Sequence, residues 1–154
     1  MTLYEVLLYF HILAAMFWVG GSIMLMIISG RVDRTGDVQF RARFMQTAAV
    51  VGPVIGVSSL LVLGAGIGMV LERDAIELSH TWIWLALTLF GVTAIGGMAY
   101  FGPASKKIVA ALEAGQTEEA DRRMRTFNFA SRFDTLLLLV IVGLMVFKPG
   151  APGI

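Results

Sequence analysis

Four stretches of this chain carry no Asp, Glu, Lys or Arg: Val6 to Ser29, Phe44 to Leu71, Thr81 to Pro103, and Thr135 to Phe147. An apolar run of about 18 residues or more reads as a membrane-spanning helix. The fourth run is the shortest, and its helix is expected to begin earlier, near Phe127. Together the runs leave little of the 154 residues over, so there is no room for a separate soluble domain. The composition agrees: 57% of the residues are hydrophobic and 15% charged, against roughly 45–50% and roughly 25% in soluble domains. The expected fold is all-α, an integral membrane four-helix bundle forming one domain with spans at about 4–29, 44–71, 80–110 and 127–147. The first span does not read as a cleavable signal peptide, because MTLYE has no Lys or Arg and the apolar run is too long.

The basic residues are unevenly placed. Ten of the 12 fall in the two loops after spans one and three: Arg31, Arg34, Arg41, Arg43, Lys106, Lys107, Arg122, Arg123, Arg125 and Arg132. The other side has only Arg73, beside Glu72, Asp74 and Glu77, and the tail residue Lys148. The positive-inside rule then predicts cytoplasmic long loops and both termini outside. In the second long loop, Gly115 interrupts AALEA and Thr117 is placed to N-cap a helix starting EEADRRMR. Glu118–Arg122, Glu119–Arg123 and Asp121–Arg125 are acid–base pairs at i,i+4. This segment reads as a solvated extension of the fourth span, or as a surface for a partner or anionic lipid.

Ionisable side chains within spans are costly and are therefore functional candidates. Glu5 lies at the outer end of the first span. His11, in YFHILAAMFWVGG, lies about 9 Å deeper at 1.5 Å per residue. Tyr4, His11 and Trp18 are seven apart and share a helix face. Two readings of His11 stand side by side. It is a buried imidazole bonded to a neighbouring helix, or it is a metal ligand, axial to heme b or bound to copper. The second span contributes LGAGIGM at the same depth, where Gly64 and Gly68 leave space either for close helix packing or for a flat macrocycle. Met69 is a candidate soft ligand and Met145 another, although methionine is also an ordinary gap-filler. His80, in ELSHTWIW, is the only other histidine. It reads as a second ligand or as an interfacial residue beside Trp82 and Trp84. Asp134 enters the fourth span near the level of Arg41, Arg43 and Gln46, which suggests a structural ion pair or cap. Lys148, in FKPG, is expected to end the last helix and to pair with Glu5 or Glu72.

Other chemistry is excluded. With no cysteine, thiolate catalysis, disulfides and iron–sulfur ligation are ruled out. No phosphate-binding glycine loop, no HExxH and no nucleophile–base set is present, and nothing suggests nucleic-acid binding. The two halves show no repeat of the kind that builds transporters. Small-residue faces that include Gly91, Gly96 and Gly97 suit helix association, hence a homodimer or a larger membrane complex.

The segments FHILAAMFWVGGSIM, WIWLALTLFGVTAIGG with FGPASKKI, and FDTLLLLVIVGLMVFKPG resemble a family of bacterial predicted membrane proteins, domain-of-unknown-function family 2269, over nearly the whole chain. That resemblance implies the architecture and no activity. More distantly, the first helix is similar to that of copper-resistance D-type proteins and of the membrane-bound protoporphyrinogen oxidase. The latter resemblance implies a four-helix heme protein in which His11 occupies the histidine's place. The oxidase also uses a lysine deep in a later helix. The third span here has none before Lys106, which argues against the same enzymatic activity.

Overall fold

In the computed structural model, which describes residues 1–72 and 80–149, the chain forms five α-helices and no strand among those residues. They are α1 (Leu3–Thr35), α2 (Val38–Leu71), α3 (Thr81–Gly96), α4 (Gly102–Glu113) and α5 (Thr117–Phe147). A π-helical turn, Gly97–Phe101, joins α3 to α4 without a break. Helices α1, α2, the continuous α3–π–α4 rod and α5 are each long and apolar enough to cross a membrane. Arg73, Asp74 and Glu77 lie outside the described residues.

The helices outlast the apolar runs that announce them. The 33 residues of α1 measure about 50 Å, whereas the hydrocarbon core of a bilayer is about 30 Å thick. The apolar pattern tracks only the lipid-facing part, and each helix continues into water as an amphipathic extension.

Local chemistry sets the ends. Thr2 and Glu5 form a reciprocal capping box at the start of α1. Gly36, at φ +69°, terminates α1 in the left-handed region that only glycine enters cheaply. Asp37 then accepts from the Phe40 amide at 3.0 Å and starts α2, so a two-residue joint turns the chain back. Gln116, not Thr117, is the N-cap of α5; Thr117 is already helical. The Gln116 amide donates to the Ala111 carbonyl at 2.9 Å, which fixes the turn one residue earlier than the cap preference suggests.

Helices α1 and α2 form the closest pair, antiparallel and in one register. Leu7 meets Gly68, His11 meets Gly66, and Gly21 meets Ile55. Around the ring, α1 touches α5, α5 touches both α3 and α4, and α4 closes on α2. Midway along the bundle Trp18, Ile55, Leu138 and Ile141 form a buried cluster, with Val62 and Phe90 against it. The Trp18 and Phe90 rings meet edge to face, 5.2 Å between centroids. At the end that carries both basic loops, Met45, Ile108, Met124 and Phe127 form a second core. Large apolar side chains such as Phe17, Met24, Leu60, Ile95 and Leu136 point outward, the arrangement expected where the surround is lipid.

Candidate functional site

His11 sits one turn before Ala14 and two before Trp18, both buried, and is itself half-buried against α2. Its Nδ1 lies 2.8 Å from the Val62 carbonyl oxygen. A carbonyl has no proton to give, so Nδ1 carries the hydrogen and donates it. In the neutral ring Nε2 therefore holds the lone pair. Helical geometry makes the Val62 carbonyl also the acceptor for the Gly66 amide, one turn on; its second lone pair serves the imidazole.

Gly66 makes that approach possible. A Cβ there would lie 3.3 Å from the His11 Cε1 and 3.4 Å from its Nδ1. No other ring atom comes within 4 Å of that point, so Nε2 is turned away from Gly66. Gly64 and Gly68, the expected pair, play other parts. Gly64 is exposed, with open space where its side chain would be, and Gly68 is covered by Leu7, whose Cδ1 would be 3.1 Å from an added Cβ. The space expected for a macrocycle between α1 and α2 is thus filled by the imidazole and Leu7. The spacing of two glycines on one face could not reveal this, because it does not say how α2 is rotated against α1.

As a ligand set the site is mixed. An imidazole whose Nδ1–H is held by a carbonyl and whose Nε2 is bare is the usual arrangement for a metal-bound histidine. That donor fits an axial heme ligand. The glycine slot does not fit, so a porphyrin would have to approach from the Nε2 side. No group of three or more His, Cys, Asp or Glu side chains able to hold a metal ion is found among the described residues. Met69 is half-buried and Met145 is 37% exposed. His80 is the N-cap residue of α3, where its carbonyl accepts from the Ile83 amide at 3.0 Å. Of its aromatic neighbours, Trp82 is buried and Trp84 faces outward.

The other polar candidates are placed as follows. Glu5 is taken up by the capping box. Lys148, left-handed at φ 42°, ends α5 with its Nζ 6.0 Å from the Trp82 ring centre, a cation–π placement rather than the expected ion pair. Arg43 is exposed. Asp134 is half-buried, and no hydrogen bond or ion pair joins it to another described residue. The arginine expected beside it, Arg41, is engaged elsewhere, in a network the sequence reading missed.

That network ties α1, α2 and α5 together at the basic end. Arg41 is buried and reaches Asp33 (Oδ1 at 3.2 Å, carbonyl at 2.6 Å) and Asp121 (Oδ1 at 2.6 Å). The Asn128 amide donates to Asp33 Oδ2 at 3.1 Å, and Ser29 donates to Asn128 Oδ1 at 2.7 Å. The signal was present: Ser29 and Asp33 are four apart and Asp121 and Asn128 seven apart, so each pair lines one helix face. Asp121 was expected to serve Arg125 instead. Glu119 pairs with Arg123 at 2.7 Å, as the i,i+4 spacing suggests, and with Arg122.

No curated protein and no solved structure matches this sequence. A family model described as predicted integral membrane protein (DUF2269) matches residues 5–149, and the chain belongs to that family.

Proposed function

We propose that this is a small b-type heme protein of the bacterial inner membrane, with His11 as an axial ligand through Nε2. The observation that carries the reading is the His11–Val62 hydrogen bond. It fixes the tautomer, orients the ring, and leaves Nε2, inside a span, with no hydrogen bond to another described residue. Heme held there would supply one-electron redox chemistry or serve as a sensed or transferred ligand. The chain would supply the donor, a low-dielectric surround and exclusion of water. In the orientation the positive-inside rule favours, His11 lies toward the outer leaflet, and both basic loops face the cytoplasm. Their shared end of the bundle, tied together by Arg41 and Asp121, is consistent with that.

The test is the absorption spectrum of detergent-purified protein made with ample heme, oxidised and then dithionite-reduced, beside His11→Ala. A Soret band with reduced α and β bands, lost in the variant, supports ligation by His11. A featureless spectrum from the wild type sinks the heme reading and leaves His11 as a packing residue joining α1 to α2. Stoichiometric copper that disappears in His11→Ala would replace heme with the softer metal.

A further inference from the structure

At the basic end of the bundle, a cavity of about 390 Å³ opens between the π turn with α4 on one side and α5 on the other. Its wall changes character along its length. Of its lining residues, Tyr100, Pro103 and Ala104 lie at the end of the third apolar run, whereas Lys107, Arg122 and Arg123 lie on the polar extensions beyond the runs. That is the polarity profile of the zone where lipid headgroups lie.

The charges in the cavity are unequally committed. Its acid, Glu119, is bound by Arg122 and Arg123. Each guanidinium has further donors to offer. Lys107 is exposed, and no hydrogen bond or ion pair joins it to another described residue. Three cations against one anion leave the cavity net positive. Thr126 is also on its wall, and its hydroxyl donates to the Arg122 carbonyl.

The backbone shapes this place. Pro103 has no amide hydrogen to give the carbonyl of Ala99, one turn before it. The rod passes through the π turn Gly97–Phe101 there, a wider turn that recurs at functional sites. Basic pockets between spanning helices on the cytoplasmic side suit phosphorylated lipid headgroups.

We propose that this cavity binds the phosphodiester headgroup of an anionic membrane lipid, with Lys107 and Arg123 on the phosphate and the Tyr100–Pro103 wall against the glycerol and upper acyl chains. The site is independent of His11 and of any heme.

The test is native mass spectrometry of the full chain released from micelles doped with phosphatidylglycerol or phosphatidylcholine. It compares wild type, Lys107→Gln, Lys107→Gln with Arg123→Gln, and Lys106→Gln. Lys106 is exposed, adjacent and outside the cavity lining, so it controls for net charge; Lys107 is exposed, so its replacement leaves packing intact. Retention of phosphatidylglycerol over phosphatidylcholine is expected, falling about fivefold in Lys107→Gln and further in the double variant, with Lys106→Gln close to wild type. Equal retention of both lipids overturns the proposal. So does an equal loss in Lys106→Gln, which would mean diffuse surface attraction. Displacement of phosphatidylglycerol by millimolar inorganic phosphate also overturns it, since the ligand would then be a soluble anion.

Discussion

Replacing Arg41 by Met removes the one cation that, among the described residues, ties α1 and α5 to the start of α2, while keeping most of the side chain's length and apolar stem. Three contacts vanish: two to Asp33 and one to Asp121. Hydrogen bonds to charged groups contribute about 1.5–3 kcal/mol each when made. The simple sum overstates the loss, because Asp33 and Asp121 keep 25% and 37% side-chain exposure and regain water. A fully buried pair broken on one side costs about 3–5 kcal/mol; with that screening, about 2–3 kcal/mol is expected here. For a chain of this size that corresponds to a fall in Tm of about 5–10 °C. The assay is thermal unfolding in a mild detergent, followed by circular dichroism, with Asp121→Asn and the double variant completing a cycle. A coupling of about 1 kcal/mol between positions 41 and 121 is expected. A fall smaller than about 2 °C, or additive single variants, would show that the network is a surface decoration and refute the reasoning.

Gly66→Leu should drive the imidazole off Val62, since even a Cβ there would sit 3.3 Å from the ring; destabilisation and loss of any His11-dependent absorption are expected together, and an unchanged spectrum and Tm would contradict this. Gly36→Ala forces a side chain into the left-handed region at φ +69° and should cost about 1 kcal/mol in the same unfolding assay, whereas Gly64→Ala, facing open space, should be neutral or mildly stabilising. Asn128→Leu leaves the Ser29 hydroxyl and one Asp33 oxygen without their partner; a loss of about 1–3 kcal/mol is expected, and adding Ser29→Ala should recover part of it.

Apolar run length marked three of the four spanning helices, the fourth run being too short without the polar helix that precedes it, and the long uncharged stretches left no other fold open. The ends were harder. Residues 38–43 fall in what the charge pattern marks as a loop, yet they are helical and α2 closes on the core around Met45; after Thr117 the acid–base spacing already marks a helix, and it runs unbroken into the fourth span. At the site, His11 was legible because an imidazole in a span stands out against its surroundings. Its neighbours were not. Whether Gly64, Gly66 or Gly68 faces α1 depends on the rotation of α2, which no spacing within one helix encodes. Asp134 attracted attention for being acidic at a span entrance. Asp33 lies one turn beyond the first apolar run and Asn128 two turns before the fourth, and these two make the cross-helix bonds.

Everything proposed for His11 depends on which nitrogen carries its proton. The chain has only two histidines, so ¹⁵N-histidine labelling of the protein in bilayers, with a His80→Gln sample for assignment, isolates the ring. A neutral His11 with hydrogen on Nδ1 and a bare Nε2 is the predicted spectrum. Hydrogen on Nε2 with Nδ1 bare would mean that the Val62 bond does not exist, and the donor offered to a metal would be gone with it.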